Sequence, residues 1–547
     1  MYDNQSQIGK LTAIVCRQPD SRALNRRAPR SRPRVNLLGY SPLLVMAILA
    51  MANGRGTADP DLWGHIRFGQ AVLSAGHVVR HDPYSYSAPG GAWHDHEWLS
   101  EVVMALFYQS SGVFGLRMWK LLCSAVTIGC LTFGLAETGA SSTLQLGTLG
   151  IAAIAIMPQM QFRPQLHTFA LLAAMLLLIA RDRRLRDSAE LWWAVPLMTL
   201  WANLHGGFIV GIAALGIYAG TAAATDVWSK GRLVWNPRLI VVAGAATLAT
   251  LITPYGLSGW ETVAHTVGNT LTYRLIMDWQ PLTAMIRDQW HFSHSGTTPY
   301  LCALALMAAL GVSLIIAPQC NDDLALVIIA VVMCGGAFLA VRNLPLAVIA
   351  CAAPAARHIE TAFARMGLRD RAMPAWSRAV PGRAASRAAI YMAVAVLAVS
   401  NGLFSSRLSA DIRYPAGAVA FMRQHHLSGN VLCEFAWGEY LIWQLYPSSR
   451  VFIDSRYDMV YPPRVINDDL TFFFDRPGAT AVLRAYPHDF VMIPPRCRAY
   501  GLVRHAAGWT LIYQDSDAAL FARFDSAAAR LKGAPAMAVE PATQYFP

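Results

Sequence analysis

The sequence predicts an α-helical polytopic membrane protein, with about eleven transmembrane helices and then a small extracytoplasmic C-terminal α/β domain. Three observations carry this. Only 14% of the 547 residues are charged and 55% are hydrophobic, whereas a soluble domain carries about a quarter charged residues. Long apolar runs recur from Leu37 onward, each close to the length that crosses hydrocarbon. The arginines between those runs fall on one face of the membrane when the runs are read as alternating crossings. The formal net charge of +12 therefore reads as topology, and nucleic acid is not expected as a partner.

Residues 1–35 form a basic tail, with Arg22, Arg26, Arg27, Arg30, Arg32 and Arg34. The run Leu37–Ala52 is long for a signal-peptide core, and Asn53-Gly54-Arg55 is a poor cleavage site, so it reads as an uncleaved first span. The expected spans are 36–53, 113–135, 143–157, 164–180, 190–204, 207–225, 238–253, 298–317, 322–341, 343–357 and 388–404. A cytoplasmic N-terminus places Arg181, Arg183, Arg184 and Arg186, then Lys230, Arg232 and Arg238, then the cluster Arg357 to Arg387, all inside. Everything after Phe404 then lies outside. Residues 36–404 form the membrane domain, 405–525 the outer domain and 526–547 a disordered tail. The expected address is a bacterial inner membrane, with the C-terminal domain in the periplasm.

The polar residues that are not topogenic collect at the outer end. Loop 54–97 carries Asp59-Pro60-Asp61, His65, His81-Asp82-Pro83 and His94-Asp95-His96-Glu97. Arg163 and Gln165, Asn203-Leu204-His205, then Arg274, Asp278 and Trp279, and finally Arg342-Asn343 occupy later outer turns. Such a one-sided concentration in short loops points to a single outward-facing site. In the first loop Asp59 can cap a helix, Pro60 suits its first position, and Leu62, Ile66 and Leu73 continue an apolar stripe along an interfacial helix. Carboxylates that merely cap a helix are the bland alternative. His96-Glu97 fails the zinc-protease pattern because position 100 is Ser100. A divalent metal on His94 and His96 with a carboxylate remains possible, without a defined ligand set.

These residues resemble the GT-C superfamily of membrane glycosyltransferases. The resemblance is closest to bacterial GT-C-like proteins over roughly residues 45–525. It rests on Asp59-Pro60-Asp61-Leu62-Trp63, His81-Asp82-Pro83-Tyr84, His96-Glu97-Trp98-Leu99, Arg163-Pro164-Gln165, Asn203-Leu204-His205-Gly206-Gly207, Pro254-Tyr255-Gly256, Trp279-Gln280-Pro281 and Arg342-Asn343-Leu344-Pro345. Trp437-Gly438 and Phe452-Ile453-Asp454 with Arg456 extend it into the outer domain. The resemblance implies transfer of a sugar, with inversion, from a polyprenyl-phosphate carrier to a lipid, glycan or protein acceptor of the cell envelope. On that reading Asp61, with Asp59 second, is the base, and Arg342, Arg163 and Arg274 hold the donor phosphate. His65, His96, Glu97, Asn203, His205 and Trp279 are further substrate contacts. So are Asp454 and Arg456, which follow a buried strand. A flippase for a lipid-linked substrate and a non-catalytic assembly partner are the alternatives. The outer domain should be a small mixed sheet without a glycine-rich phosphate loop, with strands near 431–435, 451–454, 490–493, 510–513 and 520–524. Cys433 and Cys497 share that domain and, outside the cytoplasm, can form a disulfide.

Overall fold

The computed structural model describes residues 47–48, 52, 56–185, 188–230, 236–268, 276–292, 294–317, 323–368, 408–410, 412–534 and 545–546. Most of the expected spans 36–53 and 388–404, residue Arg274 and most of the basic cluster after Arg365 lie outside the described residues.

The membrane domain comprises α1 (Leu62–Ala75), α2 (Trp98–Glu137), α3 (Ser142–Ile156), α4 (Gln165–Leu185), α5 (Ala194–Leu204), α6 (Phe208–Lys230), α7 (Pro237–Ala249), α8 (Leu257–Gly268), α9 (Leu282–Phe292), α10 (His294–Ile316), α11 (Leu324–Leu339) and α12 (Leu344–Arg365). Among the described residues three helices are long and apolar enough to cross a membrane: α2, α4 and the segment Gly296–Ile316 of α10. Shorter apolar helices cover Phe208–Ala224, Pro237–Ala249 and Leu324–Leu339. The chain is an integral membrane protein. Helix α2 joins the expected span 113–135 to the preceding apolar stretch. Its helical geometry breaks at Ser111 and Gly112, where Gly112 takes φ 60° and ψ −138°, a region glycine enters without the Cβ clash that bars other residues. At the end of the bundle away from the site the arginines are paired. Arg181 and Arg184 meet Glu137, and Arg238 Nη2 lies 2.6 Å from Asp182.

Helix α1 starts at Leu62, later than the Asp59 cap implies. Asp59 Oδ1 instead accepts the N–H of Asp61 at 3.0 Å, and Asp61 occupies the N-cap position without a side-chain cap bond. Leu62, Trp63 and Ile66 are buried, whereas Leu73 is exposed. The helix therefore lies between the bundle and the outer domain, and not along an open interface. Trp63 is 1% exposed and packs on Tyr440, Tyr414 and Phe546, with ring centroids 4.9, 5.5 and 4.5 Å away. It is an anchor, out of reach of any ligand.

The outer domain is built from β1 (Leu408–Ser409), α13 (Ala416–Gln424), β2 (Gly429–Cys433), α14 (Gly438–Leu445), β3 (Ser449–Val451), α15 (Pro463–Phe473), α16 (Ala479–Ala485), β4 (Phe490–Ile493), α17 (Ala499–His505), β5 (Trp509–Gln514), β6 (Ala519–Arg523) and β7 (Tyr545–Phe546). Five strands run in the order β3-β2-β4-β6-β5. β2 is parallel to β3 and β4, and β6 is antiparallel to β4 and β5. The strands match the expected ones within three residues at each end. β4 is buried at all four positions, so its unbroken apolar run reads as a central strand. Cys433 and Cys497, which the sequence left open as a pair, are both free thiols. One expectation is corrected. The tail expected to be disordered pairs at Tyr545–Phe546 with Leu408–Ser409, because buried Phe546 completes the aromatic cluster around Trp63.

The outer loop docks on the edge of this sheet. Ser85 bridges Val451, the Val451 N–H donates to Tyr84 O at 3.1 Å, and the Tyr86 N–H donates to Val451 O at 3.2 Å. An unpaired sheet edge is thereby covered by the segment that carries the site residues.

Candidate functional site

Two groups of charged residues meet at the end of the bundle that faces the C-terminal domain. In the first, the Arg163 guanidinium lies among three carboxylates. Its Nε donates to Asp59 Oδ2, its Nη2 lies 2.9 Å from Asp61 Oδ2, and its Nη1 lies 2.9 Å from Asp278 Oδ2. Arg163 stands in the turn before α4, Asp59 and Asp61 in the turn before α1, and Asp278 in a 3₁₀ turn before α9. One planar cation thus ties three loops together, as a forked donor can. Burial opposes its charge, but the three carboxylates outweigh burial and raise its pKa well above the ordinary arginine value.

Burial, reinforced by the Asp61 and Asp278 charges, pushes the Asp59 carboxyl up to about 7 in spite of Arg163. A carboxyl whose folded pKa lies above its unfolded value holds its proton more tightly when folded. Its contribution to stability is present below the ordinary aspartate value of 3.8 and is lost as pH rises through about 7. Thermal unfolding in detergent between pH 4 and pH 8 is expected to show a falling midpoint over that window, and Asp59→Asn should flatten the slope; an unchanged slope would refute the assignment.

The second group lines a pocket enclosing roughly 730 Å³, its open mouth included. Phe169, Ile209, Val210, Val263 and Leu346 form apolar walls, and His96, Glu97, His205, Trp279 and Arg342 supply the polar face. The Arg342 guanidinium lies 4.4 Å from the Trp279 ring centroid, a cation–π contact. Burial, partly offset by Asp278, lowers the Arg342 pKa. No carboxylate of a described residue forms an ion pair with it, so its charge is short of compensation and suited to an anion. Glu97, at the N-cap of α2, has His205 Nε2 at 3.3 Å and His96 Nε2 at 3.7 Å. Gly206 and Gly207 bring the backbone against these rings. A Cβ at Gly206 would stand 3.0 Å from His96 Cδ2, and one at Gly207 would stand 2.5 Å from Thr168 Oγ1. After burial, Asp278 favours the Arg342 charge most, Arg163 opposes it, and Glu97 and Asp61 favour it more weakly.

Several expected contacts take other roles. Arg163, expected on the donor phosphate, is spent on Asp59, Asp61 and Asp278. Asn203 Oδ1 accepts the Trp98 indole N–H at 3.1 Å, and its amide donates to Thr199 O and Ile252 O, both at 2.8 Å; it holds a helix junction. His65 Nδ1 lies 2.9 Å from Glu101 Oε1, and burial lowers its pKa. Trp279 is largely covered by Arg342.

Asp454 and Arg456 are 0% and 3% exposed and cannot reach a ligand. Arg456 donates to both Asp454 oxygens at 2.8 and 2.7 Å, reaches Asp82 Oδ1 at 2.9 Å, and lies over the rings of Phe68, Tyr84 and Trp93. It ties the Asp82 turn of the first loop to Asp454 of the C-terminal domain.

Two participants were not assigned from sequence. Asp278 adjoins the Trp279-Gln280-Pro281 motif, which was the available signal. Glu439, on α14, accepts the Gly64 N–H at 2.9 Å and the Ser455 hydroxyl at 2.5 Å. Burial raises its pKa well above 4.5, so it steadies the first turn of α1 as a neutral acid. Its partner is 375 residues away, and nothing local in the sequence marks it.

A divalent cation does not fit the first group, since a guanidinium fills the space its three carboxylates enclose. Among the described residues no three His, Cys, Asp or Glu side chains are arranged to hold a metal.

The fold recurs in solved structures. The oligosaccharyltransferase of Archaeoglobus fulgidus in its apo form is similar over 84% of this chain and 69% of that chain, at 15% identity and a TM-score of 0.50. A mutant form of the mycobacterial arabinofuranosyltransferase AftD is similar over 90% of this chain at 15% identity and a TM-score of 0.51. The fold is that of the GT-C glycosyltransferases. The GT-C-like chain spans only 42% of AftD. ArnT from Cupriavidus metallidurans, bound to undecaprenyl phosphate, is a looser likeness, with a TM-score of 0.46, 11% identity and coverage of 90% of this chain and 98% of that chain. No protein-family model and no curated protein matches the sequence.

Proposed function

We propose that this GT-C-like protein transfers a sugar from a polyprenyl-phosphate carrier to a hydroxyl of a cell-envelope acceptor, on the outer face of a bacterial inner membrane. The observation that supports it most is Arg342. The Arg342 guanidinium, paired with no carboxylate of a described residue, sits on the polar face of a pocket with apolar walls at Phe169, Ile209, Val210, Val263 and Leu346, which suits an amphiphile with a phosphate head and a prenyl chain. The acceptor oxygen attacks the anomeric carbon from the face opposite the phosphate, the carbon–oxygen bond to phosphate breaks, and configuration inverts. The acceptor proton passes to a carboxylate. Asp61 suits this role best: its side chain is 26% exposed, against 4% for Asp59 and 16% for Asp278. The departing prenyl phosphate leaves with its charge against Arg342. Arg163 holds Asp61 in place and sets the charge of the loop.

The test is binding and turnover of prenyl-phosphate sugars by the protein in nanodiscs. Arg342→Ala is expected to weaken binding of the prenyl phosphate by about tenfold to a hundredfold, the worth of one charge-assisted contact. Unaltered binding would remove the phosphate from this pocket. Binding of the lipid without sugar release by any variant would favour a flippase or an assembly partner.

A further inference from the structure

Behind Glu97 runs a chain of hydrogen bonds that ends on His205, whose Nε2 lies 3.3 Å from Glu97 Oε1. The Trp201 indole N–H donates to Thr168 Oγ1 at 2.9 Å, and Thr168 Oγ1 lies 2.9 Å from His205 Nδ1. The Gly207 N–H also donates to His205 Nδ1, at 2.8 Å. A ring nitrogen that accepts a backbone N–H carries no proton, so the proton of neutral His205 sits on Nε2, the ring nitrogen 3.3 Å from Glu97 Oε1. Burial keeps the His205 imidazole neutral, down to about 3. Burial opposes the Glu97 charge, but the groups around it, the Arg342 cation among them, hold its pKa below the usual carboxylate value. From the other side the Glu97 N–H donates to Asp95 Oδ1 at 3.1 Å, fixing the turn.

An ionised carboxylate only accepts hydrogen bonds. A ligand beside Glu97 must therefore bring donors and must not bring a second anion. The cation in the pocket, Arg342, suits a phosphate, so the group attached to that phosphate is what meets Glu97. We propose that Glu97, oriented by His205, is the subsite for the sugar hydroxyls of the donor, and that the site takes a sugar without an acidic group and rejects a uronic acid. The proposal rests on the prenyl-phosphate reading above and adds the class of sugar to it. The Gly206-Gly207 pair acquires a reason on the same terms, since the close backbone approach at Gly207 sets the tautomer that orients Glu97.

Three synthetic probes test it by calorimetry on the full chain in nanodiscs: farnesyl phosphate, farnesyl phosphoryl hexose and farnesyl phosphoryl hexuronate. The wild type is expected to bind the hexose at least about tenfold more tightly than the hexuronate, the scale of one hydrogen bond to a charged group. Glu97→Gln should bring that ratio close to one without weakening farnesyl phosphate. Equal affinity of the wild type for the two sugars overturns the proposal with no variant needed, and so does a ratio that survives Glu97→Gln. Failure of farnesyl phosphate itself to bind ends the prenyl-phosphate reading, and the sugar subsite with it. That outcome is distinct from binding without discrimination.

Discussion

Asp61→Asn is expected to lower sugar transfer by about 10²–10⁴-fold, the usual worth of a positioned general base, while leaving donor affinity within a few-fold. Asn keeps the shape and can still accept from Arg163, whose Nη2 lies 2.9 Å from Asp61 Oδ2, so the loop should stay in place. What it loses is the capacity to take a proton. Asp59→Asn is the informative comparison. Asp59 is buried, accepts the Asp61 N–H and is bonded to Arg163, so its replacement should alter stability and its pH dependence more than the rate. Single-turnover assays with a prenyl-phosphate sugar separate the chemical step from binding. A rate indifferent to Asp61 would take the base away from this loop and favour an assembly partner that has kept the fold.

Arg456→Ala is expected to cost about 3–5 kcal/mol, the range for removing one member of a buried ion group. The substitution strands Asp454 and Asp82, which are 0% and 3% exposed, without their counter-charge. It also empties the space among Phe68, Tyr84 and Trp93, over whose rings the guanidinium now lies. Asp82 further accepts the N–H groups of Tyr84 and Ser85 at 3.0 and 3.1 Å. The damage therefore reaches the segment that pairs with Val451 and carries the chain on toward Glu97. Thermal unfolding in detergent, with limited proteolysis of the outer loop, measures it. A midpoint within a degree or two of wild type would show that the outer loop and outer domain are held together elsewhere.

Arg456 also illustrates how the sequence misleads. An Asp-x-Arg just after a buried strand reads as a ligand contact, because open sheets often bind at strand ends. Here another segment of the same chain, the Asp82 turn, occupies that position. Arg163 was displaced in the same way, from a phosphate to three carboxylates. In both cases the sequence shows a cation at the correct end of the molecule and cannot show which anion reaches it first.

The sequence by itself determined the membrane class, the apolar helices, the strands of the C-terminal sheet and the loops in which the polar residues collect. These follow from periodicity, apolar length and charge distribution, which act locally along the chain and leave their imprint there. Only the tertiary structure decided the partners. It brought Asp278 to Arg163, Glu439 to Gly64 and His205 to Glu97, and it set Trp63 and Phe546 in one aromatic cluster. Those pairings depend on where segments tens to hundreds of residues apart come to rest. Each is selected by the need of a buried charge or polar group for a counterpart, a condition met in space and invisible in residue order.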